Sequence, residues 1–317
     1  MRWLVTGGAG YIGAHVTAAL QAAGAGVAVL DDLSTGDPRR VPAGVPLLVG
    51  DAGDPATVRA ALRRHRVGGV MHLAGSKSVP ESWQRPQWYF RQNVTVVTTV
   101  LDAMAETGVS RIVLSSSAAV YGTPGTSLVS EDAPTGPLNP YGHSKLLAER
   151  AVAAAGVSWI ALRYFNAVGA AAAHLGDRGG GNLLPRVFRA ALTGEPLVVT
   201  GGALPTRDGT GVRDYVHVAD LAAAHLAAAA AVSSGRLGRV YNAGTGRGHS
   251  VLDVIAAVER ACGTPVPYRL GPPRPGDPAE VVAAVGRIRA ELRWRARRTL
   301  DGAVRSAWLA ERLAFTS

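Results

Sequence analysis

The sequence predicts an α/β fold, with a doubly wound parallel sheet and a smaller C-terminal α/β lobe. Two patterns predict it. Short apolar runs alternate with helical stretches through the first half, as in a parallel sheet covered on both faces. The first apolar run also ends in glycines that open a helix, Gly7-Gly-Ala-Gly10-Tyr-Ile-Gly13. Glycines there permit a tight turn and bring backbone close to a pyrophosphate at the helix N-terminus, so the sheet is of the Rossmann type.

The elements follow in order. Trp3-Leu-Val-Thr6 is the first strand, and residues 11–23 have helical rhythm. Residues 27–30 form a second strand ending in Asp31-Asp32, and 46–49 a third ending in Gly50-Asp51. Asp54 and Pro55 supply an N-cap and a first-turn proline for a helix through residue 64. A fourth strand spans 69–73, a long helix 87–107, a fifth strand 111–115, a helix 140–155 and a sixth strand 157–162. Beyond about residue 166 the rhythm weakens and Gly, Pro and Arg become frequent in 176–181, 201–211 and 270–278. Helices remain expected at 183–192, 218–231, 250–261 and 300–312. These readings divide the chain into a dinucleotide-binding domain, 1–166, and a substrate lobe, 167–317, with some segments of the lobe returning to the sheet.

Composition narrows the function. A chain of 317 residues with 47% hydrophobic and 18% charged residues can bury a large core. No apolar run is long enough to span a bilayer, and the opening residues show no signal-peptide core, so no membrane partner is expected. The single Cys262 excludes an internal disulfide and fits a reducing cytoplasm. The eight histidines lack metal-ligand spacing, so no metal is expected. The net charge of +10 raises the question of nucleic acid. Its arginine clusters, at 59–66 and 287–298, read as solvated helix faces without a recognition motif, and no nucleic-acid partner is expected.

Lys and Arg together number 33, yet only Lys77 and Lys145 are lysines. A compact ammonium does what a planar guanidinium cannot. Lys145 follows Tyr141 by four residues, which places both on one helix face. An ammonium beside a phenol lowers the phenol's pKa, and a tyrosine so tuned is a base near neutral pH. The bland alternative is a chance pair on a solvated helix. Ser115-Ser-Ser117-Ala-Ala-Val-Tyr121-Gly adds weight, because it follows the fifth strand at the sheet edge where ligands bind. Ser117, Tyr141 and Lys145 are the residue types that proton abstraction from an alcohol needs together. Asp31 ends the second strand where a carboxylate binds a ribose 2′-hydroxyl and repels a 2′-phosphate, which favours NAD over NADP. Asp51 reads as an adenine contact, with a helix cap or loop aspartate as the near rival.

With these residues in place, nearly the whole chain resembles the extended short-chain dehydrogenases/reductases, and among them the UDP-glucose 4-epimerases. The resemblance rests on Val5 to Gly13, His72 to Ser82, Ser115 to Gly122 and Tyr141 to Lys145. It continues through Arg163-Tyr-Phe-Asn-Ala-Val-Gly169, Asn182-Leu-Leu-Pro185, Asp208 to Asp220 and Arg274-Pro-Gly-Asp277. It implies an NAD-dependent isomerase that inverts C4 of a UDP-hexose through a 4-keto sugar. In it, Tyr141 is the base, Lys145 holds the nicotinamide ribose and tunes that base, and Ser117 positions the 4-hydroxyl. The implied cofactor contacts are Gly7, Gly10, Tyr11, Ile12, Gly13, Asp31, Asp51, Ala52, Leu73, Ala74, Lys77, Asn93, Ser115, Tyr141, Lys145 and Tyr164. The implied substrate contacts are Lys77, Ser117, Tyr141, Asn166, Asn182, Leu183, Arg213, Arg274, Asp277 and Val281. Two arginines on a diphosphate also make physical sense, since a guanidinium grips phosphate in a bidentate fork. By the same resemblance a homodimer is expected, built on the 87–107 and 140–155 helices.

Two departures stand out. Ala119 replaces a threonine common in the family, and Val281 replaces a tyrosine of some bacterial members. In the family a small residue at the second place goes with acceptance of N-acetylated sugars. Two rivals stay open. A nucleotide-sugar 4,6-dehydratase would need an acid pair where this chain has Ala118-Ala119. A non-catalytic NAD-binding sensor would have no need of Tyr141, Lys145 and Ser117.

Overall fold

The structure, a computed structural model, describes residues 1–235, 238–273 and 277–315. Arg274, expected at the diphosphate, lies outside the described residues. Fourteen strands are present among those described: β1 (Arg2–Thr6), β2 (Gly26–Asp31), β3 (Leu47–Val49), β4 (Gly69–His72), β5 (Arg111–Ser117), β6 (Leu128–Val129), β7 (Ser158–Tyr164), β8 (Asn166–Val168), β9 (Leu197–Thr200), β10 (Val212–His217), β11 (Arg239–Ala243), β12 (Gly248–Ser250), β13 (Tyr268–Gly271) and β14 (Glu280–Ala283). The α-helices are α1 (Tyr11–Ala22), α2 (Pro55–Arg64), α3 (Val79–Gln84), α4 (Pro86–Phe90), α5 (Val96–Thr107), α6 (Pro140–Ala154), α7 (Leu183–Thr193), α8 (Val218–Ser233), α9 (Val251–Cys262), α10 (Gly286–Leu292) and α11 (Leu300–Phe315).

Seven strands form one sheet in the order β11-β7-β5-β4-β1-β2-β3, and every pairing in it is parallel. Alternate residues of these strands serve two cores. Leu4, Leu30, Val70, Leu114 and Ala161 pack with α2, α5 and α6, whereas Val5, Val29, Met71, Val113 and Leu162 pack with α1 and α8. This two-sided burial explains why the strands read as near-continuous apolar runs. Strand order reverses between β1 and β4, and an open α/β sheet carries its ligand crevice at such a point.

Two predicted features change. Residues 87–107 are not one regular helix: α4 and α5 are joined by a π-helical turn, Arg91–Thr95. A π turn adds a residue to the helical circuit, and here it carries the buried Asn93. The second half contains β10 and β11, neither of which the sequence pattern revealed. β11 has an asparagine next to its last residue, Asn242, which is fully buried and satisfied by Tyr121 Oη, Val129 O and Ala284 O. Its hydrogen-bond partners, not apolar alternation, admit it to the sheet.

Beyond this sheet, β10 pairs with β8, β12 and β14, and β14 pairs with β6. A third core gathers α7, α9 and α11 around Phe188, Ile255 and Trp308. Asp214 of β10 is fully buried and holds this region together. It accepts from Thr245 N, Thr245 Oγ1, Gly246 N and Ala283 N. Burial pushes its pKa up, while those donors pull it down. Asp214→Ala strands buried donors, each costing about 1–3 kcal/mol. A thermal midpoint well below that of the parent chain, measured by calorimetry, is the expected outcome.

Candidate active site

The glycine turn and the loop after β4 meet at the switch point. Gly7 has φ +71°, and a Cβ there would lie 2.7 Å from Ala74 N. A Cβ on Gly13 would lie 2.0 Å from Gly7 O, so α1 can approach its own turn only without a side chain. Gly10 caps α1, and no side chain caps that end. The first-turn N–H groups of α1 are therefore oriented for an anion, with the helix dipole behind them. Tyr11 donates to Gly169 O at 2.5 Å, and Ile12 packs partly against the sheet core.

Asp31 sits at the tip of β2, 7% exposed. Its Oδ2 accepts from Ala9 N at 2.8 Å and its Oδ1 from Leu33 N at 2.9 Å. Burial raises its pKa and these two amides oppose the rise. Asp51 is exposed beyond β3 and accepts from Gly53 N at 2.7 Å, and Ala52 beside it is buried. Leu73 donates from its backbone to Thr6 O, which docks the β4 loop on β1. Lys77 is exposed, with its ammonium 5.8 Å from the Tyr11 ring centre. Asn93 accepts from Ser76 N and donates to Ser76 O and Ser144 Oγ, so the π turn clamps this loop to α6.

Helix α6 starts with Asn139 as N-cap and Pro140 in its first turn. It carries Tyr141 and Lys145 to the end of β5. Lys145 is 7% exposed and donates to Ser115 O at 3.0 Å. Tyr141 hydrogen-bonds the Ser117 side chain, which is also the group that pulls its pKa down. Tyr141 further meets Tyr89 edge to face, with ring centres 6.4 Å apart. Tyr164, on neighbouring β7, shares a 2.6 Å hydrogen bond with His225 Nε2, and Ser115 also bonds its hydroxyl.

The electrostatics correct one expectation. Burial raises the Tyr141 pKa, and the opposing influence is Ser117 rather than Lys145. The Lys145 ammonium is itself buried and pushed down to about 8, with the Glu149 carboxylate resisting that fall. Desolvation disfavours a charge of either sign, and the lysine spends a donor on a backbone carbonyl. One helical turn of spacing therefore brings the two groups to one place without making the phenol acidic.

The sugar-nucleotide candidates are more spread. Asn166 is exposed on β8, opposite Tyr215. Asn182 donates to Asp177, and Leu183 packs partly against the third core. Arg213 donates to Val212 O at 2.8 Å and to Ala279 O at 3.4 Å. Burial lowers the Arg213 pKa and the Asp277 charge opposes it. Val281 lies opposite Arg213 in the β10–β14 register and is 7% exposed. Among the described residues no group of acidic, histidine or cysteine side chains could hold a metal ion. Sequence reading missed Glu149, although it follows Lys145 by four residues and Tyr141 by eight on the same helix. Its signal was the helical spacing.

The comparisons with known proteins agree with this geometry. The family model described as NAD dependent epimerase/dehydratase family matches residues 3–244. The chain belongs to that family. A UDP-glucose 4-epimerase of Azospirillum brasilense is 45% identical over 326 residues, covering 98% of this chain and 92% of the relative. A crystal structure of UDP-glucose-4-epimerase from Stenotrophomonas maltophila, with bound NAD and formylated UDP-arabinopyranose, has a TM-score of 0.95 at 38% identity and covers 100% of both chains. A UDP-glucose 4-epimerase structure from Bifidobacterium longum, in complex with NAD+ and UDP, has a TM-score of 0.92 at 37% identity, covering 99% of this chain and 98% of that one.

The residues around the glycine turn fit a dinucleotide, because uncapped N–H groups, a clear turn and the Asp31 carboxylate stand in line. Gly13→Ala must push the turn apart, at a cost of about 1–3 kcal/mol for the overpacked contact. Purified Gly13→Ala is expected to carry much less NAD per chain than the parent, as read by absorbance after acid release.

Proposed function

We propose that this protein is an NAD-dependent UDP-sugar 4-epimerase, an isomerase that interconverts UDP-glucose and UDP-galactose. The observation that carries this reading is the convergence of Tyr141 and Lys145 on the end of β5, beside the glycine turn. Gly7, Gly10 and Gly13 would hold the pyrophosphate, Asp31 the adenosine ribose and Lys145 the nicotinamide ribose, with Lys77 and Asn93 on the cofactor side. Bound NAD would accept hydride from C4 of the sugar and return it. Tyr141 takes the 4-hydroxyl proton and later gives one back, with Ser117 holding both the phenol and the sugar oxygen. The Ser117 hydrogen bond favours the phenolate that burial disfavours. Sugar and cofactor react within one assembled site, which removes much of the entropic barrier.

Arg213 and Arg274 would take the diphosphate, and Asn166, Asn182, Leu183, Lys77 and Asp277 would frame the nucleotide sugar. The dehydratase reading lacks support at Ala118 and Ala119, which form the turn directly after Ser117 and bring no carboxylate. The next acid, Glu131, accepts from Asn242 N and lies near Arg287. The non-catalytic sensor reading leaves the buried Lys145 and the Ser117–Tyr141 contact unexplained.

A homodimer fits this reading, through the outer faces of α5 and α6, where Leu147 is 39% exposed. No described helix is long and apolar enough to cross a membrane. A cytoplasmic location fits a chain whose one cysteine, Cys262, is free.

Tyr141→Phe is expected to fold normally and bind NAD but lose about 10²–10⁴-fold in kcat on UDP-galactose, the usual range for a lost proton-transfer group. Parent-like turnover by that variant rules Tyr141 out as the base. Loss of water from the sugar, seen by mass spectrometry, would mark a dehydratase. N-acetylated substrates belong to the same reading if Val281, small where some bacterial members of the family carry a tyrosine, lines the sugar pocket. UDP-N-acetylgalactosamine is expected to turn over within about tenfold of UDP-galactose, a span of ~1.4 kcal/mol. Val281→Tyr should depress the N-acetylated rate selectively, and an unchanged ratio shows that the position plays no part.

A further inference from the structure

Helix α6 carries a third buried polar residue on the face of Tyr141 and Lys145. Glu149 is 5% exposed and accepts a hydrogen bond from Ser116 Oγ. Its two oxygens also receive Arg163 Nε at 2.9 Å and Nη2 at 2.7 Å, a bidentate pair. Both side chains of that pair are 6% exposed. The Arg163 guanidinium lies 4.7 Å from the centre of the Tyr121 ring, and its Nη1 has no hydrogen-bond partner among the described residues. Tyr121 Oη in turn donates to Asn242 Oδ1 of β11 at 2.7 Å.

The placement of these contacts is specific. Ser115, Ser116 and Ser117 are consecutive on β5, and α6 touches all three. Glu149 meets the side chain of Ser116, Lys145 the carbonyl of Ser115, and Tyr141 the side chain of Ser117. Ser116 and Arg163 are neighbours in the β5–β7 register. Glu149 is thus fastened to two strands at once, two helical turns from the phenol.

We propose that Glu149, through Ser116 and Arg163, is a positioning residue that sets the register of α6 on β5 and so the placement of Tyr141 and Lys145. This inference rests on the epimerase reading above. A buried ion pair is weak evidence for stability, because well-packed apolar side chains of similar volume often replace one at no loss. The pair gives what apolar packing lacks, a fixed angle and depth. A misplacement of about 1 Å at a reacting group can cost 10²-fold in rate.

Glu149 also carries charge towards Lys145. The charged groups that act on that ammonium or feel it are Glu149 of its own helix and His72 of β4; Glu149 is itself paired with Arg163 of β7, and Tyr141, one turn away, meets Tyr164 of β7 and Tyr89 of α4, the latter bonded to Glu81 of α3. Glu149 raises the Lys145 pKa against burial, which holds it near 8. A protonated Lys145 is the working form, so activity falls as pH rises through that pKa. Removing the Glu149 charge lowers the pKa further and moves the alkaline limb to lower pH.

The test uses Glu149→Gln, Glu149→Asp, Ser116→Ala and the paired replacement Glu149→Leu with Arg163→Met. Each is assayed for epimerisation, NAD content and thermal midpoint beside an active parent chain. Glu149→Gln is expected to lose about 10–100-fold in kcat, with KM within about twofold and its alkaline limb displaced downward. Ser116→Ala is expected to show a smaller loss of the same kind. The paired variant is expected to fold and keep NAD yet stay slow, and Glu149→Asp to recover part of the rate. A paired variant with parent-like kcat, or a Glu149→Gln defect confined to thermal midpoint with an unmoved limb, overturns the inference. An inactive parent chain would count against the epimerase reading instead.

Discussion

Desolvation at the end of β5 governs this protein more than any single contact. Two ionisable groups of α6, Tyr141 and Lys145, sit where burial disfavours their charged forms, and a third side chain, Glu149, is buried on the same helix. Each is compensated by a different neighbour. Ser117 bonds the phenol, the Ser115 carbonyl receives the ammonium, and Ser116 with Arg163 saturates the carboxylate. The strand supplies three compensations in three consecutive residues, so helix and strand must hold one mutual register. Pairing and burial compete directly here: Lys145 falls to about 8 even though Glu149 resists.

The same economy appears at the switch point. α1 arrives with Gly10 as cap and no side chain on its first N–H groups, and Gly13 lets the helix touch the turn that precedes it. Asp31 closes the far side of that turn through Ala9 N. The parallel sheet places these features beside the β4 loop, whose backbone donates to Thr6 O. The π turn at Asn93 then fastens the loop to α6 through Ser76 and Ser144. A polar seam thus runs from the glycine turn through Ser76, Asn93 and α6 to the serines of β5.

Much of the first half was legible because its signals are local. The strand–turn–helix of residues 2–22, the Asp54–Pro55 helix start and the helix from residue 140 all rest on neighbouring residues. β11 and β10 were not legible, because their polar residues are satisfied from afar: Asn242 by Tyr121 and Val129, Asp214 by Thr245, Gly246 and Ala283. The π turn escaped for a similar reason, since a helical sequence carries no mark of one extra residue per turn. Glu149 was visible in spacing but had no meaning until Arg163, fourteen residues later, was seen beside it.

By itself the sequence determined the residue types and their order: a glycine turn after a strand, an aspartate at the next strand's tip, and a tyrosine and lysine one helical turn apart. Helical and strand periodicities are geometric constants, so those placements need no partner. Only the tertiary structure decided the protonation balance. Spacing predicted that Lys145 would acidify Tyr141, whereas the folded chain shows burial raising that phenol and Ser117 opposing it. The energy of a charge depends on everything packed around it, and that surrounding is assembled from strands and helices distant in the chain.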